Sequence, residues 1–147
     1  MSHSYSQNHL HVVFSTKDRQ KLIASAMRPK LWSYMEGIGR NHGILVLANG
    51  GMADHVHLLI QLPPVLALAQ AISLIKSNSS GWMNEHGMEF NWQEGYGAFS
   101  VSASNLGTVE RYIADQERHH RKKTYEQEFE GLLRKHHIPF DSKYVFG

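Results

Sequence analysis

The spacing of apolar residues along the chain changes several times, and each change marks an element. NHLHVVFS at 8–15 is rich in β-branched and aromatic residues, which predicts a first strand. The charged stretch TKDRQKLI follows as a loop. Over 27–41, Leu31, Tyr34, Met35 and Ile38 recur at helical spacing, with Pro29 suited to a first turn and His42-Gly43 to the exit. GILVLANGG at 43–51 predicts a second strand, and HVHLLIQL at 55–62 a third. Their short connection makes them a hairpin, with its turn expected at Gly50-Gly51. Pro63 and Pro64 end the third strand. A second helix is expected over 65–84, a fourth strand over 98–104 and a third helix over 107–122 capped by Asn105. A shorter fourth helix covers about 124–136, before an irregular tail.

The order is β-α-β-β-α-β followed by helices. It predicts an α+β fold: a ferredoxin-like, RRM-like antiparallel sheet with helices on one face and additional C-terminal helices. No repeat or boundary interrupts it, so residues 1–147 read as a single domain. A chain of this size buries about 68–70% of its unfolded surface and needs no covalent staples. Many functions use such a fold, so the chemistry must come from particular side chains.

The stretch ADHVHLLI at 53–60 supplies the first of them. Alternation along a strand puts His55 and His57 on one face and Val56 on the other. Two adjacent imidazoles fill a core poorly but hold a divalent cation well. A merely hydrogen-bonded pair of strand histidines is the plainer reading, and this segment alone leaves both open. His9 and His11 form a second pair that the expected strand order brings near the first, as supporting residues at most.

The helical stretch VERYIADQERHHRKK carries a second row. Tyr112 and Gln116 are neighbours at i and i+4, and His120 extends the row by a turn. Val109 and Ile113 form an adjacent stripe that could dock the helix. Taken alone, Tyr112 reads first as a half-buried amphipathic tyrosine. Taken together, two imidazoles and a carboxamide oxygen could bind Mg²⁺ or Mn²⁺ with positions left open. A phenol beside them could attack phosphorus.

Composition narrows the rest. The absence of cysteine excludes disulfides, thiolate metal sites and a cysteine nucleophile. The N-terminus lacks a basic region followed by a long apolar run, and no stretch reaches membrane-spanning length. A cytoplasmic protein is therefore expected. Net charge is only +2, but Arg118, Arg121, Lys122 and Lys123 cluster beside His119 and His120, and Lys17, Arg19 and Lys21 form a second group. Such clusters suit a polyanion, although each is also an ordinary solvated surface.

HVVFSTKDR, ADHVHLLI, LIKSNSSG, FNWQEGYGAFSVS, RYIADQERHH and FEGLLRKHHIPFD resemble, in order, the small single-tyrosine HUH transposases. These serve simple insertion sequences, with relatives associated with repetitive extragenic palindromes. The resemblance runs over roughly residues 9–144. HxH alone is weak; HxH followed about fifty residues later by YxxxQ, with matching segments between, is specific.

The resemblance implies metal ligands at His55, His57 and Gln116, and a nucleophile at Tyr112. It implies Mg²⁺ or Mn²⁺, a homodimer, and binding of single-stranded DNA hairpins near element ends. It also implies cleavage through a 5′-phosphotyrosine that leaves a free 3′-hydroxyl. In many members one subunit's tyrosine helix completes the other's histidine site; the glycine of GTVE is a candidate hinge for this. Hairpin contacts are placed on Lys17, Arg19 and Lys76, with Ser79 and Ser80 as weaker phosphate donors. His119 and His120 match the family's paired histidines and are not assigned as ligands. Other readings are a domesticated relative acting on dispersed palindromic repeats, an RRM-like binding module without catalysis, and a phosphodiesterase that uses water. The binding module predicts aromatic residues on the central strands, where this chain has His55, His57 and aliphatics.

Overall fold

In a computed structural model that describes residues 4–146, β1 (His9–Ser15) and β3 (His55–Gln61) are the inner strands of an antiparallel sheet. β2 (Leu45–Gly51) pairs outside β3 and β4 (Gly97–Val101) outside β1, giving the order β2-β3-β1-β4. The register sets Val13 opposite His57 and Ser15 opposite His55. With a side-chain period of two, His9, His11, Val13 and Ser15 therefore share a face with His55, His57 and Leu59.

The opposite face forms the main core. Val12, Phe14, Val56, Leu58 and Ile60 pack there against Leu31, Met35 and Ile38 of α1 (Arg28–Asn41) and Ile72, Ile75 and Met83 of α2 (Leu68–Glu85). Each such aliphatic side chain, fully buried, contributes roughly 1.5–3 kcal/mol.

The histidine face is covered as well, so helices lie on both sides of the sheet rather than on the one side expected. α3 (Leu106–Ala114), a single turn α4 (Gln116–His119) and α5 (Tyr125–Lys135) follow β4. A smaller cluster of Val13, Phe99, Tyr125 and Leu133 joins sheet and α5. The physical reason is that buried imidazoles need polar partners, which a covering layer can supply.

Several boundaries differ from expectation. Gly50 and Gly51 are not the hairpin turn; they end β2, and residues 52–54 make the connection. A Cβ on Gly50 would clash with the carbonyl oxygen of Ile113, so glycine here lets α3 rest directly on the edge strand. The expected helix over 107–122 is interrupted at Asp115, with φ −104° and ψ 27°. Asn105 precedes α3 but makes no side-chain cap bond, and Gly107 lies within the helix rather than in a hinge loop. α2 begins at Leu68, after a turn in which Leu66 N–H donates to Pro63 O at 3.2 Å. α5 has a reciprocal capping box: Gln127 N–H donates to Thr124 Oγ1 at 3.2 Å and Thr124 N–H to Gln127 Oε1 at 2.9 Å. Among the described residues no helix is long and apolar enough to cross a membrane.

Candidate active site

β3 fixes the first half of the site. His55 and His57 are both fully buried on an inner strand with neighbours on either side. Their outer ring nitrogens are already engaged. His55 Nδ1 lies 2.7 Å from Asp54 Oδ1, and His57 Nδ1 lies 2.8 Å from Nε2 of His11. Each ring thus turns Nε2 towards the covering helices. Such an outer bond sets the orientation of an imidazole and the nitrogen it presents.

The covering helices supply the other half. Glu128 enters from α5, and its Oε1 lies 2.9 Å from His57 Nε2, 3.4 Å from His55 Nε2 and 3.0 Å from His120 Nε2. The other carboxylate oxygen, Oε2, accepts from the Tyr112 hydroxyl and, at 3.2 Å, from Gln116 Nε2. That amide orientation aims Gln116 Oε1 at the rings, 3.0 Å from His55 Nε2 and 3.1 Å from His120 Nε2. Tyr112 is half-buried, edge-on to His57 and His11 and tilted against His119. Gln116 is placed by α4, docked beside Ile113, the fully buried anchor of α3.

The electrostatics follow from burial set against these bonds. Burial opposes charge on Glu128, but hydrogen bonds from His120, His55 and His57 outweigh it and hold the carboxyl well below its ordinary range. Burial likewise opposes the His55 imidazolium; hydrogen bonds with Asp54, Glu128 and Gln116 overcome it and raise its pKa to about 9. His57 is lowered, chiefly by burial, and His11 is lowered to about 3 by burial and then by His57. Burial and the adjacent Glu128 push the Tyr112 phenol up, so a proton acceptor or a cation is needed to make it nucleophilic.

Donor atoms of His55, His57 and Glu128 all lie within 4.8 Å of one another. Two imidazole nitrogens and a carboxylate oxygen, all buried, are a donor set that fits a divalent cation. An aromatic reading platform is absent from this face of β3, where histidines stand instead.

The structure brings together four residues singled out in the sequence, His55, His57, Gln116 and Tyr112, within one chain. Lys17, Arg19 and Lys76 lie elsewhere, around the loop 91–95. Lys17 N–H donates to Asn91 O at 3.0 Å, and Lys76 Nζ donates to Gln93 O at 2.7 Å and Gly95 O at 2.6 Å. Burial lowers the Lys76 pKa to about 8. Arg19 is turned to the C-terminal tail, donating to Phe146 O at 3.2 Å and lying 3.7 Å from Glu126 Oε1. Ser79 is corrected as a phosphate donor: it is fully buried, donates to Ile75 O and accepts from Trp92 Nε1. Glu128 went unread in the sequence, although a signal existed. It lies three residues after Tyr125 and four or five before Leu132 and Leu133, so a carboxylate interrupts an apolar stripe.

Residues 4–116 match the family model described as "Transposase IS200 like". Similar proteins include the transposase for insertion sequence element IS200 of Salmonella typhimurium, 25% identical over 115 residues, covering 72% of this chain and 74% of that protein. The ISDra2 transposase TnpA of Deinococcus radiodurans is 23% identical over 114 residues, covering 72% and 81%. In fold, the chain resembles the crystal structure of a putative transposase from Deinococcus radiodurans, with a TM-score of 0.64, 20% identity and coverage of 79% and 95%. It also resembles a REP-associated tyrosine transposase bound to a REP hairpin, with a TM-score of 0.58, 13% identity and coverage of 99% and 79%. The match to the family model takes in both strand histidines and ends at Gln116, and by that match the chain belongs to the IS200-like transposase family.

Proposed function

We propose that this chain cuts and rejoins single-stranded DNA through a covalent bond to Tyr112. The observation that carries the reading is the convergence of a phenol, a carboxamide and two strand imidazoles on the one carboxylate of Glu128. A hydrolase using water needs no phenol at this position.

In this reading the Tyr112 oxygen attacks phosphorus and its proton passes to Glu128 Oε2, the atom it already bonds. The bond from phosphorus to the 3′-oxygen breaks, and that oxygen leaves as a 3′-hydroxyl after taking up a proton. The 5′-phosphate stays on Tyr112. Attack by a 3′-hydroxyl from another strand reverses the sequence, reforms a phosphodiester and releases the phenol. His55, His57 and Gln116, with Glu128, would hold Mg²⁺ or Mn²⁺, which polarises the phosphodiester and offsets charge on its oxygens. His11 and Asp54 orient the two rings from behind.

The substrate in this reading is a DNA hairpin. Lys17, Arg19, Lys76 and Ser80 contact it around the 91–95 loop, where Lys76 retains one of its three N–H donors. A second copy of the chain is the partner for the other element end. In this reading Tyr112 and the histidines of one chain form one site, as their contacts to Glu128 within the chain support.

The test is a labelled hairpin strand from the DNA flanking the gene, incubated with protein and Mg²⁺ or Mn²⁺ and run on a denaturing gel. A covalent protein–DNA band is expected, lost in Tyr112→Phe and in His57→Ala. Cleavage that survives Tyr112→Phe overturns the covalent reading in favour of hydrolysis.

A further inference from the structure

His120 lies beyond the residues that match the family model. Its side chain is only 8% exposed. Nδ1 lies 2.8 Å from the carbonyl oxygen of Lys123, which can only accept, so Nδ1 carries a proton. In a neutral ring Nε2 is then a bare lone pair. That lone pair faces two oxygens, Glu128 Oε1 at 3.0 Å and Gln116 Oε1 at 3.1 Å. Neither oxygen has a hydrogen to offer: one belongs to a carboxylate and the other to an amide whose NH₂ is turned to Glu128 Oε2.

His55 repeats the arrangement. Its Nδ1 is bonded to the Asp54 carboxylate, and its Nε2 faces the same two oxygens at 3.4 and 3.0 Å. Without an ion, a proton on Nε2 has to bridge each ring to these acceptor oxygens, inside a buried space. The same inward nitrogens and oxygens can instead share one dication, which takes the place of those protons. An imidazole that ligates a metal through one nitrogen commonly donates its other N–H to a carboxylate or a backbone carbonyl. His55 and His120 each show one of those two forms.

We infer that His120 is a further metal ligand. His55, His57 and Glu128 form the mutually close donor group, and His120, 3.0 Å from Glu128 Oε1, would join it as a third imidazole with the Gln116 amide oxygen beside it. The site takes a transition-metal dication such as Mn²⁺, Co²⁺ or Zn²⁺ in preference to Mg²⁺. The inference rests on the metal-site reading above and adds to it both a ligand and a metal class. Imidazole suits transition metals, whereas Mg²⁺ is held by oxygen and retains much of its water. His120 also ties the turn after α4 to α5 through the shared ion, so the metal organises the covering layer as well as the substrate.

The test uses the full chain stripped of metal and titrated with Co²⁺, following the visible absorption of the bound ion, with circular dichroism as the folding control. Wild type is expected to bind Co²⁺, and Mn²⁺ in competition, about tenfold or more tightly than Mg²⁺. His120→Ala is expected to weaken Co²⁺ binding by about tenfold or more and to change the absorption spectrum. A variant with unaltered affinity and spectrum overturns the assignment of His120 while leaving the site intact. A folded wild type that binds no Co²⁺ overturns the metal site itself. Should His120→Ala not fold, pulsed electron paramagnetic resonance of Mn²⁺ on the wild-type chain counts the coupled imidazoles. Three support the assignment and two refute it.

Discussion

The strand that carries His55 and His57 and the helices that carry Tyr112, Gln116, His120 and Glu128 contribute to one site by different physics. β3 is an inner strand, paired on both sides and buried on both faces. Its histidines cannot move without disturbing the main core. The covering segment is three short helices with an interruption at Asp115, anchored by a few side chains such as Ile113, Tyr125 and Leu133. Few buried anchors and short hydrogen-bonded runs place it at the less stable end of the molecule. The histidines are thus a fixed platform, and the remaining donors are brought to it by packing that can open separately. A buried site that must admit a phosphodiester needs such an asymmetry.

The largest expected effect separates the two halves directly. His57→Ala removes a donor that nothing on the rigid strand replaces, and Mn²⁺ affinity measured by calorimetry should fall by about 100-fold or more. Glu128→Gln keeps an oxygen on the mobile side and should cost about tenfold. Equal losses would show that the two halves are equally rigid.

Next is Gly50→Ala. The added Cβ meets the Ile113 carbonyl, which is backbone and cannot rotate away. A loss of about 1–3 kcal/mol is expected in thermal or urea unfolding, with faster amide exchange in α3 than in β3. Unchanged exchange in α3 would mean that the edge strand yields instead.

The metal-free protein should also respond to pH. His55 holds its proton more tightly folded than unfolded, its pKa rising from 6.5 to about 9. The stability this confers is complete below about pH 6.5 and is lost as pH rises through about 9. Between about pH 6.5 and about pH 8 a loss of about 1–2 kcal/mol is expected in urea unfolding. This range lies below that in which Lys76, lowered to about 8, titrates in the opposite sense. Saturating Mn²⁺ should abolish the decline, because the ion takes the place of the proton.

The smallest effect is expected from Thr124→Ala, which removes the capping box of α5. A cost of about 1 kcal/mol should show as faster exchange in α5, with β3 unaffected. Equal acceleration in both would mean that α5 opens only with the whole fold.

The same contrast explains what could be read from the sequence. The sheet was readable because strand alternation is local: His55-Val56-His57 declares its own faces, and the inner strands announce themselves as apolar runs. That the first strand lies beside the third, bringing His9 and His11 near His55 and His57, followed from the arrangement of elements; the bond between His11 and His57 did not. The covering layer was not readable in this way. Whether α3–α5 lie over the histidine face depends on Gly50 admitting Ile113, a contact between residues 63 positions apart. Gly50 read as a turn residue because its sequence context, Gly-Gly between two strands, is that of a hairpin. Glu128 belongs to no local motif and becomes meaningful only when α5 is folded back onto β3. The interruption at Asp115 was hidden because Tyr112, Gln116 and His120 keep helical spacing through it.

The close approach of Ile113 to Gly50 reaches beyond packing. Tyr112 is the residue before Ile113, so the backbone bearing the phenol leans on the edge of the sheet. In the proposed reaction a DNA end joined to Tyr112 would be moored to that edge like a boat at a quay. The held 5′ end would then stay at one address through the exchange, and the free 3′ end would do the travelling.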